Sequence, residues 1–202
     1  MKTGLLLSGG MDSIAIAWWK RPHWAVTIDY GQKAAAAEKL AAAQVCHELG
    51  IAHDVITVDC SSLGSGDMAH KAADAHGATS DWWPYRNQLL ITLASMRAIA
   101  SEVRTLYIGT VKSDGDSHRD GTTEFVSHMD GLMRHQEGGM RVVAPAIMLT
   151  TTELIRTVGV PAGLLAWSHS CHKANTACGE CRGCNKYLAT YAELGAAYTD
   201  GT

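Results

Sequence analysis

The chain reads as α/β, a doubly wound parallel sheet carrying a small C-terminal metal-binding appendage. Three observations support this. Short apolar runs recur at Leu5–Leu7, Trp24–Asp29, His53–Asp59, Thr105–Val111 and Met140–Ala144. Stretches of helical character separate most of them, and strands alternating with helices at this spacing form βαβ units around a parallel sheet. Four of the six cysteines crowd between Cys171 and Cys184. The expected division is residues 1–160 for the sheet domain and 161–202 for the cysteine region and its closing helix.

The first strand runs into Ser8-Gly9-Gly10-Met11-Asp12-Ser13. Paired glycines let the backbone curl tightly and approach a ligand closely. A helix beginning there, through Ile14 to Lys20, would point its free amides at an anion, where its dipole also favours negative charge. Ser8 and Ser13 add hydroxyls, and Asp12 adds a carboxylate suited to magnesium. No Gly-Lys-Ser/Thr follows, so this is not a Walker A loop. Arg21-Pro22 stops the helix. The second strand ends at Asp29-Tyr30-Gly31-Gln32, and an alanine-rich helix over Lys33–Leu49 closes at Gly50. Ser8, Asp29 and Tyr30 all fall at the carboxyl edge of the sheet, where ligands bind in such folds.

Residues 60–81 lack periodicity and read as a loop long enough to cover a site. Trp82-Trp83-Pro84-Tyr85-Arg86-Asn87 precedes a helix over Gln88–Val103. Trp82, Trp83 and Tyr85 suit either stacking on a heterocycle or burial. The fourth strand opens into the polar stretch Lys112-Ser113-Asp114-Gly115-Asp116-Ser117-His118-Arg119-Asp120-Gly121. A helix over Thr122–His135, a short fifth strand, a helix capped near Thr150 with Glu153 in its first turn, and a closing helix over Asn185–Leu194 complete the order.

A formal net charge of −3 in 202 residues gives no general attraction to polyanions, so extended nucleic-acid binding gains no support. At 47% hydrophobic the chain can bury a substantial core, yet no apolar run approaches a membrane span. Met1-Lys2-Thr3-Gly4 leads straight into the first strand, leaving no room for a signal peptide. With Cys46 and Cys60 reading as buried thiols, the expected compartment is a reducing cytoplasm.

Cys171, Cys178, Cys181 and Cys184 have the spacing C-x6-C-x2-C-x2-C. Each x2 step lets two thiolates face one point, and the first cysteine closes a tetrahedron. Such a set suits a closed structural Zn²⁺ site, with an iron–sulfur cluster as the competitor. His169 and His172 flank the first cysteine; with a full set of cysteines they are expected as outer supports, the alternative being that one replaces a ligand.

Ser-Gly-Gly-Met-Asp-Ser resembles the PP-loop of the ATP pyrophosphatases. Together with Asp29-Tyr30-Gly31-Gln32, Pro84-Tyr85-Arg86-Asn87, Ile108-Gly109, Glu124-Phe125, Ala144-Pro145 and the terminal cysteines, it is similar to the QueC family of 7-cyano-7-deazaguanine synthases across nearly the full length. The resemblance implies a PP-loop fold, a zinc site and often a homodimer. It implies adenylation of 7-carboxy-7-deazaguanine by ATP with Mg²⁺, attack by ammonia to give an amide, and a second ATP to reach the nitrile. On that basis Leu7, Ser8, Gly9, Gly10, Met11, Asp12, Ser13, Asp29 and Tyr30 are expected at the nucleotide. Lys112 would neutralise phosphate charge. Tyr85, Arg86, Asn87, Asp114, Arg119 and Asp120 would meet the substrate. His118, with Asp114, would handle protons.

The chain departs from the family at Ser117–Thr123, where an Asp-Cys-Arg-Pro-like segment is usual, and it is shorter than typical members. Small residues there are expected to leave an opening. The matching alternative is a QueC-like conjugating enzyme of antiphage systems, which passes the activated carboxylate to an amine of a protein partner. A tRNA-thiolating PP-loop enzyme and a non-catalytic zinc module are weaker alternatives.

Overall fold

The computed structural model describes residues 1–77 and 79–199, without the side chains of Ala197 and Thr199. Five strands, β1 (Lys2–Leu6), β2 (Trp24–Asp29), β3 (Ala52–Thr57), β4 (Val103–Tyr107) and β5 (Arg141–Val143), form one sheet in the order β3-β2-β1-β4-β5. Every neighbouring pair is parallel. The chain winds outward from β1 to β3, then crosses back to β4 on the other side of β1. The carboxyl ends of β1 and β4 therefore bracket the switch point, where a crevice opens in sheets of this kind.

Both faces of the sheet are covered, which explains why β2 is apolar almost throughout. Trp24, Val26 and Ile28 face one core, whereas Ala25 faces the other. The first core joins Leu5 to α1 (Met11–Lys20), α2 (Ala35–Leu49), α6 (Thr151–Val158), α7 (Ala162–Leu165) and α8 (Arg182–Leu194). The second joins Leu106 and Val142 to α3 (Arg86–Ala100) and α5 (Thr123–His135). Leu5 and Leu106 are wholly buried, and truncating either to Ala should cost about 2–5 kcal/mol. A short α4 (Lys112–Gly115) follows β4, and α9 (Ala196–Thr199) follows α8.

The element ends have local causes. Gly50 and Gly159 take left-handed conformations after α2 and α6. Thr150 Oγ1 accepts from Glu153 N–H at 3.2 Å while Glu153 Oε2 accepts from Thr150 N–H at 2.8 Å, a reciprocal cap for α6. The 60–81 connection contains two 3₁₀ turns, Ser61–Leu63 and Gly66–Met68. The polar 112–121 stretch is also more ordered than its composition suggests, holding α4 and the 3₁₀ turn Arg119–Gly121. Helix α8 begins three residues earlier than expected, because Cys181 Sγ accepts from Cys184 N–H and caps it.

The C-terminal segment shares the main core. Leu164, Leu165 and Leu194 pack in the same cluster as Leu5 and Ile14, with Tyr187, Tyr191 and Tyr198 against them. Cys46 and Cys60 are buried, and burial pushes the Cys46 thiol up to about 12. Among the described residues no helix is long and apolar enough to cross a membrane.

Candidate active site

A cavity of about 270 Å³ lies at the switch point. Its floor is the turn between β1 and α1. Gly9 has φ +77°, and a Cβ there would sit 2.8 Å from the Glu38 carbonyl oxygen, so the turn depends on glycine. Ser13 Oγ donates to Gly10 O at 2.9 Å and lies 3.2 Å from Ser8 Oγ. Two hydroxyls and the free first-turn amides of α1 thus converge in one place, an anion cradle. The 168–171 strap bounds it, with His169 N–H donating to Gly9 O at 2.9 Å.

Lys186 enters this cradle from α8. Its Nζ lies 2.8 Å from Asp12 Oδ2 and 3.2 Å from Asp114 Oδ1. Burial opposes the lysine charge, but the two carboxylates more than offset it and raise its pKa above the usual value. Burial likewise raises the pKa of Asp12, with Lys186 opposing. Asp114 Oδ2 is held by the Val111 N–H at 3.0 Å. Asp12 Oδ1 is buried and, among the described residues, has no partner.

A second group lies deeper. Burial disfavours the charge of Arg86, at the start of α3, but its surroundings, Tyr30, Asp120, Asp81 and Glu38, more than offset this and raise its pKa. Tyr30 is buried edge-on against Trp83, with ring centroids 4.9 Å apart, and burial raises its phenol pKa. Glu38 accepts from Gln32 Nε2 at 2.7 Å, and burial raises its pKa. Asn87 Nδ2 donates to Asp120 O at 3.0 Å.

Most residues expected at the site line this cavity: Leu7, Ser8, Gly10, Met11, Asp12, Ser13, Tyr30, Arg86, Asn87, Asp114, His118 and Asp120. Five do not. Gly9 shapes the turn from behind. Asp29 is taken up by Lys39, 2.5 Å away. Tyr85 turns outward at 79% exposure, while Trp83 is the buried aromatic. Lys112 and Arg119 are exposed on the surface, and the cation beside the cradle is Lys186. Sequence reasoning missed Glu38, Asp81, Arg182 and Lys186. The usable signal for the last two was their position beside the cysteines, on the helix that Cys181 caps.

Within the Ser117–Thr123 segment, Gly121 is needed for packing. A Cβ there would lie 2.7 Å from the Asp114 carbonyl carbon and 2.9 Å from its Cβ. Its smallness lets the 3₁₀ turn close onto Asp114, a packing requirement at the cavity wall.

Bonds of about 2.3 Å to a tetrahedral ion place sulfurs about 3.8 Å apart. The Sγ atoms of Cys178 and Cys184 are 3.9 Å apart, and those of Cys181 and Cys171 are 4.0 Å apart. All four ligand atoms lie within 4.8 Å of one another. Backbone N–H groups of His172 and Cys184 donate to Cys181 Sγ, each at 3.4 Å. This set fits one zinc ion, and its compactness disfavours a cluster of several irons.

A family model described as "Queuosine biosynthesis protein QueC" matches residues 2–195. The chain belongs to the QueC family. It is 28% identical to the 7-cyano-7-deazaguanine synthase of Methanosarcina barkeri, over 96% of this chain and 95% of that one. It is 31% identical to the 7-cyano-7-deazaguanine synthase of Xanthomonas oryzae pv. oryzae, over 96% and 94%. As a member of this family the chain is an enzyme of the ligase type. A solved structure of NMN synthetase from Francisella tularensis covers 86% of this chain and 68% of its own, with a TM-score of 0.44 and 15% identity.

Proposed function

We propose that this chain is a 7-cyano-7-deazaguanine synthase that adenylates 7-carboxy-7-deazaguanine with ATP. The observation that carries the reading is the meeting of Lys186, Asp12 and Asp114 beside the Ser8–Ser13 cradle, inside a cavity at the sheet's switch point.

The substrate carboxylate attacks the α-phosphorus, and pyrophosphate leaves. The cradle amides with Ser8 and Ser13 receive that leaving group, and Lys186 balances its growing charge. The partnerless Oδ1 of Asp12 suits a hard cation. Asp12 and Asp114 would hold Mg²⁺, which supplies further charge neutralisation to the phosphates when bound. Ammonia then displaces AMP to give the amide. A second adenylation, on the amide oxygen, allows that oxygen to leave with AMP as the nitrile forms.

The four-cysteine site would hold zinc and fix the start of α8, and with it Lys186. The close packing of Gly121 on Asp114 favours a small acceptor, and ammonia is the acceptor in this reading. Mass spectrometry after incubation with ATP, 7-carboxy-7-deazaguanine and ammonia tests it. The nitrile is the expected product; label retained on a protein after denaturation would favour conjugation instead.

A further inference from the structure

Asp81 lies outside every motif of the sequence, yet it is 1% exposed at the cavity wall. Thr79 Oγ1 donates to its Oδ1 at 2.6 Å, and Arg182 Nη1 donates to its Oδ2 at 3.1 Å. His118 Nε2 is 3.5 Å from Oδ1 and His172 Nδ1 is 3.3 Å from Oδ2. Burial works to raise the Asp81 pKa, but the polar groups around it, His172 and Thr79 among them, hold it well below the usual carboxylate range. The same Arg182 Nη1 lies 2.8 Å from His118 Nε2. A guanidinium N–H only donates, so Nε2 accepts and the ring proton sits on Nδ1. His118 is thereby engaged as a prop for Arg182.

Nη1 of Arg182 is thus spent on Asp81 and His118. Among the described residues its Nε and Nη2 have no hydrogen-bond partner, and the residue lines the cavity. Arg182 and Lys186 stand at i and i+4 on α8, one turn apart on the same face. If Lys186 serves the phosphates, Arg182 stands about 5–6 Å along the same face. An acid attacking the α-phosphorus would bring its carboxylate to that neighbourhood. A guanidinium with free donors and a fixed plane matches a carboxylate well.

We propose that Arg182 binds the carboxylate of the acid to be adenylated, and that Asp81 is the positioning residue that presents it. This rests on the functional reading above in taking a carboxylate as the substrate group.

The test compares wild type, Arg182→Gln, Asp81→Asn and the double variant. For each, KM for 7-carboxy-7-deazaguanine and for ATP, the acid's Kd by calorimetry, and zinc content are measured. Arg182→Gln should raise KM and Kd for the acid about tenfold or more, with KM for ATP changed less than about threefold. Asp81→Asn should give part of that effect. The double variant should be no worse than Arg182→Gln alone, because Asp81 acts through Arg182. Additive losses would overturn the positioning role, and an unchanged acid KM and Kd in Arg182→Gln would overturn the binding role. Loss of zinc from both single variants would do the same, by making the network structural. Should Arg182→Gln not fold, Arg182→Lys replaces it, with the same expected loss because a point charge lacks the fork. A wild type that binds the acid in an Arg182-dependent way without turnover would sink the functional reading and keep this inference. A wild type that neither binds nor converts the acid would overturn both.

Discussion

Lys186 Nζ lies 2.8 Å from Asp12 Oδ2, although 174 positions separate the two residues in the chain. The pairing joins α1 to the helix capped by Cys181, and so ties the four-cysteine cluster to the Ser8–Ser13 turn. Lys186→Met should lower kcat/KM by about 10²-fold or more, as removal of one preorganised charge at a reacting group does. Lys112→Met, on the exposed start of α4, should change it less than about twofold. Steady-state kinetics on the pair checks this; equal losses would restore Lys112 to the site.

Asp12→Ala removes both the Lys186 partner and the partnerless oxygen. Turnover should fall by about 10²-fold or more, with a raised requirement for added Mg²⁺ in Asp12→Asn. Titration of the rate against Mg²⁺ provides the measurement. Identical Mg²⁺ dependence in wild type and Asp12→Asn would remove Asp12 from the metal.

Cys181 belongs to the four-cysteine cluster, caps α8 and receives two backbone N–H groups. Cys181→Ser should therefore lose zinc, lower the Tm and lose activity together, because Arg182 and Lys186 ride on the helix that this residue starts. Elemental analysis should find one zinc per wild-type chain and less than about a third of that in the variant. Full activity in metal-free, folded protein would break the link between the four-cysteine cluster and the cavity.

Gly121→Ala should push Asp114 away, since the added Cβ would lie 2.7 Å from backbone. The expected cost is about 1–3 kcal/mol of stability, together with loss of activity. Thermal unfolding and kinetics on one preparation check both. A variant more active on amine-bearing proteins than on ammonia would revive the acceptor opening.

His53 offers a pH test away from the metal. Thr27 Oγ1 donates to Leu7 O at 2.7 Å, so His53 Nε2, 2.9 Å away, donates to Thr27. Burial lowers the His53 pKa from its ordinary 6.5, with Asp54 opposing. The folded chain then binds fewer protons than the unfolded one below that value. The stability is fully present above pH 6.5 and is lost as pH falls from there toward the folded pKa. The stability gap between wild type and His53→Gln should shrink from pH 7.5 to pH 5.5, followed by urea unfolding. A gap that widens on acidification would reverse the assigned direction.

Legibility in the sequence followed the range of the interactions. Period and punctuation made β1, β2, α1 and α2 readable, and the Ser8–Ser13 turn carried its own chemistry. Spacing within Cys171–Cys184 was equally local. By contrast, Lys186 and Asp81 acquire their roles only when distant segments meet, and nothing around Asp81 distinguishes it from a loop acid. Lys112 was favoured because it follows a strand at the right edge, but the capped start of α4 leaves it in solvent. Tyr85 shows the same limit: its positive φ of 55° as the residue before α3 turns the ring outward while neighbouring Trp83 packs on Tyr30.

The most direct test of the central claim is the nucleotide product formed by purified protein from ATP, with and without 7-carboxy-7-deazaguanine. AMP and pyrophosphate are expected, in a strictly substrate-dependent reaction. ADP and phosphate, or release of AMP that ignores the deazaguanine acid, would contradict it.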